Sequence, residues 1–151
     1  MSWQTLLLAD IQTGLSAQEL TGVQTYALQS GQPDPTPAVI AAAMNEVRGY
    51  IAASSTIVLG AEQTIPDKLI DTAVDLAVWK LVTRFPGKLM ATDQRRQRYT
   101  DAIARLKDVA ANKFRIEVPT VVSTELTSGV LLPQVSRSTI LQRVREEENG
   151  V

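Results

Sequence analysis

The chain contains no cysteine and no histidine, and each absence removes a class of functional site. Without cysteine, its 151 residues form no disulfide, no thiolate nucleophile and no cysteine-ligated metal centre. Without histidine, the commonest general base and the commonest metal ligand are both missing. Glycine-rich phosphate loops are absent too, because Gly60 and Gly87 stand alone. We therefore expect a protein that is not an enzyme and that holds no metal and no cofactor.

Long apolar runs and a basic N-terminal region are also missing. No apolar run reaches the roughly 18 residues that a membrane-spanning helix needs. The opening stretch, MSWQTLLLADIQTG, has no basic side chain and contains an aspartate. We expect no signal peptide and no membrane contact, so the protein is made in a cytoplasm. Hydrophobic residues still make up 44% of the chain, and a chain of this length buries a core without covalent cross-links.

The charged residues are unevenly distributed, although the net charge is only −1. Residues 1–83 contain three basic and eight acidic side chains, which gives −5. Residues 84–115 contain nine basic and three acidic side chains, which gives +6, and residues 116–151 carry −2. This asymmetry is typical either of nucleic-acid binding or of two complementary faces that meet in an oligomer.

Hydrophobic spacing and capping residues predict an all-α bundle of four to five helices over residues 1–115, with no strand before residue 115. The predicted helix starts are Thr5, Ser16, Pro37, Thr64 and Thr92.

Each predicted helix has an apolar face. The third helix carries a narrow stripe, the fourth is apolar on almost all sides and so belongs at the centre of the bundle, and the fifth carries a seam. The stripe consists of Ile40, Met44, Val47 and Ile51, the centre includes Leu69, Ile70, Val74, Val78, Trp79 and Leu81, and the seam consists of Tyr99, Ile103, Leu106 and Ala110.

After Phe114 the hydrophobic period changes, so we divide the chain into a bundle domain, residues 1–115, and a C-terminal arm, residues 116–151. The arm is rich in β-branched residues, which is typical of an extended segment, a short β-hairpin or a stretch that lies on a partner. Ser136 or Ser138 can cap a short terminal helix. The arm is too apolar for a solvated tail, so we expect it to be buried against another chain.

Two charged clusters are candidate sites. Asp67, Asp71 and Asp75 repeat every four residues, and this spacing favours a solvated helix face over a divalent-cation site. The basic cluster admits three interpretations: phosphate contact, a solvated surface in which Asp101 pairs with nearby arginines, or a subunit interface with the acidic half of a neighbour. The basic cluster consists of Arg84, Lys88, Arg95, Arg96 and Arg98.

Four stretches follow one another in a recognisable order: LLLADIQTGLSAQEL, NEVRGYIAAS, IPDKLIDTAVDLAVWKLVTR and RRQRYTDAIARLKDVAANKF. They place an acidic residue before a Gly-Tyr pair at one helix end, a proline three residues before a leucine at the next start, and an Arg/Tyr-rich opening on the last helix. Over about residues 3–118 the chain resembles the head–tail joining proteins of Mu-like tailed phages. It is more distantly similar to the helical adaptors beneath the portal of other long-tailed phages.

The resemblance implies a structural virion protein of the neck, between the capsid portal and the tail. Such a protein forms a homo-oligomeric ring, dodecameric to match the portal, which extends the DNA channel and lies close to packaged DNA without reading its sequence. The implied partners are the portal protein and a downstream neck or tail-terminator protein. Portal or neighbouring-subunit contact is expected at Val130, Leu131, Leu132, Ile140, Leu141 and Val144, and the basic cluster is expected at a subunit interface or the DNA channel.

Two alternatives remain open at this stage. The first is a small helical nucleic-acid-binding protein that uses the basic cluster. The second is an assembly factor that is absent from the mature virion.

Overall fold

The computed structural model describes residues 2–84 and 91–119. Within these ranges it contains five α-helices, and they confirm the predicted all-α bundle. The predictions for Lys88, for the arm hairpin and for the terminal helix lie outside the described residues. The helices are α1 (Leu8–Gly14), α2 (Ala17–Gln29), α3 (Thr36–Ala53), α4 (Ile70–Val82) and α5 (Asp93–Ala110).

Helix α4 lies at the centre of the bundle, as its sequence predicts. It packs against α1, α3 and α5, and eight of its residues are buried. Each large aliphatic side chain buried in this way contributes about 1.5–3 kcal/mol. Ile70 and Trp79 are only partly buried, at the edge of the same core.

The predicted apolar faces of α3 and α5 both reach the core. In α3, Met44, Val47 and Ile51 are buried and Ile40 is half-buried. In α5, Leu106 is buried, whereas Tyr99, Ile103 and Ala110 are half-buried because Ala102 and Val109 occupy the deeper positions of the seam.

The start of α1 differs from the prediction that Thr5 caps it. The helix begins at Leu8, and the Leu7 backbone N–H donates to the Asp10 carboxylate at 2.7 Å. Leu6 is buried in the core, so the chain enters the helix later than its polar residues indicate. A carboxylate in the first turn also suits the positive end of the helix dipole.

Helix α1 ends at Gly14, as predicted, and this glycine packs closely against α4. A Cβ at this position would lie 3.0 Å from Val78 Cγ2 and 3.1 Å from Val74 Cγ1. The missing side chain therefore lets α1 approach α4 closely.

Three other helix-start predictions are confirmed. The Ser16 hydroxyl accepts from the Glu19 backbone N–H at 3.3 Å, and the Glu19 carboxylate accepts from the Ser16 backbone N–H at 3.0 Å, which completes a capping box. The Thr92 hydroxyl accepts from the Arg95 backbone N–H at 3.3 Å. Pro37 lies in the first turn of α3.

Two short strands contradict the expectation of no strand before residue 115. β1 (Trp3–Gln4) pairs antiparallel with β2 (Ile65–Pro66). Because Pro66 belongs to this pair, Asp67–Leu69 form a 3-10 turn and α4 begins only at Ile70. The Thr64 hydroxyl donates to a loop carbonyl and does not cap the helix, so that prediction is wrong.

The end of α5 is fixed by side-chain hydrogen bonds. Asn112 adopts a left-handed conformation with φ of 58°, as is common just past a helix end. Its side-chain oxygen accepts from the Ser54 and Thr56 hydroxyls. A few residues later Ile116 is buried in the core, so the arm leaves the bundle from a defined position.

Candidate interaction surfaces

Arg95, a member of the predicted basic cluster, forms an ion pair with Glu19 of the same chain. Its guanidinium donates to both carboxylate oxygens of Glu19, at 2.9 Å and 3.0 Å. The two side chains are 20% and 31% exposed. A bidentate arginine–carboxylate pair that is mostly shielded from solvent fixes the relative position of the two side chains. Arg95 therefore joins the start of α5 to the start of α2.

The Glu19 carboxylate takes part both in the capping box and in this ion pair. Burial alone would raise the pKa of Glu19. The backbone hydrogen bond from Ser16 and the hydrogen bond and charge of Arg95 outweigh burial, so the pKa lies below its ordinary value of 4.5. The carboxylate is therefore held in its charged form at both helix starts.

The acidic repeat on α4 does not form a metal site. Asp67 lies in the 3-10 turn and accepts from the Ser2 backbone N–H at 3.3 Å. The described ranges contain no group of three carboxylates placed to hold a metal ion. Burial raises the pKa of Asp75, the charges of Arg98 and Arg105 oppose this rise, and the charges of Asp71 and Asp101 reinforce it.

The local ion pairs expected around Asp101 are not formed. Asp101 accepts from the Gln97 side-chain amide at 2.9 Å. The Arg105 guanidinium donates instead to the Thr72 hydroxyl at 3.3 Å, across to α4. The basic helix face therefore turns partly towards α4.

Two described members of the basic cluster, Arg84 and Arg95, lie near opposite ends of α2. Arg84 lines a shallow pocket of about 280 Å³ together with Tyr26 and Pro35, whereas Arg95 binds Glu19 at the other end of that helix. Seven residues of α-helix separate Glu19 from Tyr26, which is about 10 Å. Arg84, Arg96 and Arg98 are exposed, and Lys88 lies outside the described residues.

The base of the arm is held by Trp3, a contact that the sequence did not predict. The Trp3 indole N–H donates to the Glu117 carbonyl at 3.1 Å, and Lys68 forms an ion pair with the Glu117 carboxylate at 3.2 Å. The Trp3 ring lies against Gly60, where an added Cβ would come within 2.6 Å of it. Val118, the next residue of the arm, is 61% exposed.

The loop between α3 and β2 presents apolar side chains to solvent. Arg48 holds the loop by donating to the carbonyls of Ala61 at 2.8 Å and Thr64 at 2.6 Å. Val58 in this loop is 65% exposed, and Leu59 is exposed as well. Gly60 of this loop lies against Trp3, and the Trp3 indole holds the Glu117 carbonyl, next in sequence to Val118.

A second apolar surface lies between α1 and the first half of α3. It is a groove of about 330 Å³. Leu6 and Met44 form its buried floor, where the Leu6 backbone N–H lies 3.4 Å from the Met44 sulfur. Leu8 is 43% exposed at its rim. Ala41, an exposed residue of α3, also lines it.

The arm residues predicted to contact a partner lie outside the described residues: Val130, Leu131, Leu132, Ile140, Leu141 and Val144. The sequence did not indicate the groove either. Its signal is the unused apolar excess of LLLADI, where Leu7 and Leu8 remain exposed after Leu6 and Ile11 enter the core.

No helix within the described ranges is long and apolar enough to cross a membrane. The family model described as bacteriophage Mu, Gp36 matches residues 7–131 of the chain. Comparison with curated proteins and with solved structures found no match.

Proposed function

This chain belongs to the bacteriophage Mu Gp36 family, and on that premise we propose that it is a structural protein of the phage neck. In this proposal it is an adaptor that forms a ring beneath the portal, extends the DNA channel and joins head to tail. The observation that carries the proposal is the family match, which covers residues 7–131. Its role is architectural and not catalytic.

The extent of the match supports a functional role for the arm. It runs past the described bundle and includes the apolar residues Val130 and Leu131. The arm base is held by the Trp3–Glu117 hydrogen bond. An apolar segment that starts from a fixed position suits docking on a partner, either the portal or a neighbouring subunit.

The charge distribution supports assembly of several copies. A ring requires a heterologous contact, in which two different faces of the subunit complement each other. The exposed Arg96 and Arg98 on α5 supply positive charge, while residues 1–83 carry a net charge of −5. Opposite charges on two faces favour such a contact and oppose contact between like faces.

The nucleic-acid-binding alternative has less support. Arg95 is paired with Glu19, and Arg84 lies near the opposite end of α2 from that pair. Proteins that bind phosphate backbones without sequence preference use several cations along one groove. Proximity to DNA inside a ring channel needs only a few of them.

Electron micrographs of a phage that lacks this gene test the proposal. We expect filled heads and complete tails that are not joined, with joining restored when the wild-type chain is supplied. Joined, infectious particles without the chain would overturn it. Detection of the chain in purified virions separates the adaptor from an assembly factor that leaves before maturation.

A further inference from the structure

The groove between α1 and α3 is built to receive an apolar partner. Its floor residues, Leu6 and Met44, are 2% and 4% exposed, so the floor belongs to the folded core. Its rim residues, Leu8 and Ala41, are exposed. A fixed apolar floor with an open rim is the form of surface that accepts one face of a helix.

The chain itself contains a segment of matching chemistry. In the predicted terminal helix, Ile140, Leu141 and Val144 share one face, and the surrounding residues are polar. Ile140 and Val144 have the i, i+4 spacing by which a helix anchors in a groove, and Leu141 widens that apolar face. Burial of this face against another surface is favourable, because each aliphatic side chain removed from water stabilises the contact.

Charge favours the same pairing. Asp34 is the charged residue among those that line the groove. Its carboxylate accepts from the Gln24 side-chain amide and the Thr36 backbone N–H, both at 2.9 Å, and both of these donors are neutral. Arg137 lies three residues before Ile140 in the sequence, so a positive charge adjoins the apolar anchors.

The length of the arm allows it to reach another molecule. Pro119, the last described residue, and Ile140 are 21 residues apart. That many residues span up to about 70 Å when extended, whereas the longest helix of the bundle, at 18 residues, is about 27 Å long.

We propose that the groove lined by Leu6, Leu8, Ile40, Ala41 and Met44 receives the Ile140–Leu141–Val144 face of a second copy of this chain. The inference rests on the proposed ring, because an arm that stayed on its own bundle would join no subunits. An arm passed from each copy to the next is a heterologous contact, and such contacts close into rings. The groove then explains why Leu8 of α1 remains exposed.

Cross-linking tests this pairing, and the absence of native cysteine makes the result unambiguous. Full-length copies that carry Ala41→Cys are mixed with full-length copies that carry Val144→Cys, and the mixture is oxidised. Two matched controls are available. Ala42→Cys places the thiol on the next residue of α3, which is exposed but does not line the groove. Gln142→Cys places it two residues from Ile140 and from Val144, a spacing that puts it on another face of the predicted helix.

We expect the disulfide-linked dimer between positions 41 and 144 to form at least about tenfold faster than either control pair, because docking raises the effective concentration of the two thiols. Equal rates in all pairs, or no dimer, would overturn the inference. A chain with both Ala41→Cys and Val144→Cys that closes only on itself would also overturn it, since the occupant would then be its own arm.

The cross-link and the gene deletion fail independently. If no cross-link forms but the chain is still required to join heads to tails, the proposed function stands and only the groove assignment is wrong. If the cross-link forms but heads and tails join without the chain, the copies associate without serving as a neck adaptor.

Discussion

Arg95 of α5 and Glu19 of α2 are joined by two hydrogen bonds of 2.9 Å and 3.0 Å between residues that are 76 positions apart in the chain. The same glutamate closes the capping box of α2. One carboxylate therefore positions the starts of two helices. The arginine that seemed from the sequence to be part of an exposed basic cluster is a structural residue.

Replacement of Arg95 by alanine is expected to lower the free energy of unfolding by about 1 kcal/mol or more, because a half-buried carboxylate loses its charged partner. Arg96→Ala is the matched control, since Arg96 is the exposed neighbour on the same helix, and should change stability by less than about 0.5 kcal/mol. Urea unfolding measures both. A double-mutant cycle with Glu19→Gln isolates the pair, and additive effects would contradict the coupling.

The pH dependence of stability should report the Glu19 carboxylate. Its folded-state pKa lies below 4.5, so its contribution is fully present above the unfolded-state value and is lost as pH falls through the folded-state pKa. Wild type should therefore exceed Glu19→Gln in stability at neutral pH, and the two should converge in acid. A constant difference across that range would show that the charge of Glu19 is not what stabilises the pair.

Asp75 should show the opposite sign. Burial raises its pKa above 3.8 in the folded state, so its favourable contribution is present below the unfolded-state value and is lost as pH rises through the folded-state pKa. Asp75→Asn should be more stable than wild type at neutral pH, by roughly 0.5 kcal/mol or less because solvent screens the site. Asp71→Asn, at an exposed position one turn earlier, should gain less. Urea unfolding at neutral and at acid pH measures the stability of each variant. An Asp75→Asn variant less stable than wild type at neutral pH would show that burial does not raise the pKa of Asp75.

Two glycines in helices should respond to alanine in opposite directions. Gly14→Ala places a Cβ 3.0 Å from Val78 Cγ2, and we expect a loss of about 1–3 kcal/mol from overpacking. Gly22→Ala in α2 meets nothing within 4 Å, so the lower backbone entropy of the unfolded state should stabilise it by about 0.5–1 kcal/mol. Thermal unfolding of the two variants compares them directly. A neutral Gly14→Ala would show that α1 and α4 are less closely packed.

Trp3→Phe removes the indole donor to Glu117 while it keeps an aromatic ring against Gly60. Loss of this hydrogen bond should cost about 1 kcal/mol and should speed amide hydrogen exchange at Ile116 and Val118. Trp79→Phe is the control, because the Trp79 ring stacks on Tyr99, with ring centroids 5.7 Å apart, in another part of the bundle. This substitution should not selectively speed amide exchange at the base of the arm. Unchanged exchange at Ile116 in Trp3→Phe would mean that the arm base is held by other contacts.

The sequence predicts those features that depend on residues close together in the chain. The capping box at Ser16, the cap at Thr92 and the central position of α4 all follow from short-range patterns. Thr5 and Thr64 fit the same pattern and still do not cap, because each lies beside a strand of the β1–β2 pair and the next α-helix begins only at Leu8 or Ile70. Composition alone does not show that long-range contact.

The candidate surfaces depend on long-range contacts more than the helices and their caps do. Arg95 is removed from the exposed basic cluster by its ion pair with Glu19. The base of the arm is held by Trp3, which is 114 residues from Glu117. The groove is formed only when Leu6 and Met44 meet. The sequence predicts an arm that needs a partner, but it does not indicate the apolar groove of the bundle.

Cryo-electron microscopy of the neck of purified virions shows whether this chain is a neck adaptor. We expect a closed ring of this chain between the portal and the tail, with its helical bundles forming the wall of the DNA channel. A neck that contains no copy of the chain, in particles that are complete and infectious, would contradict it.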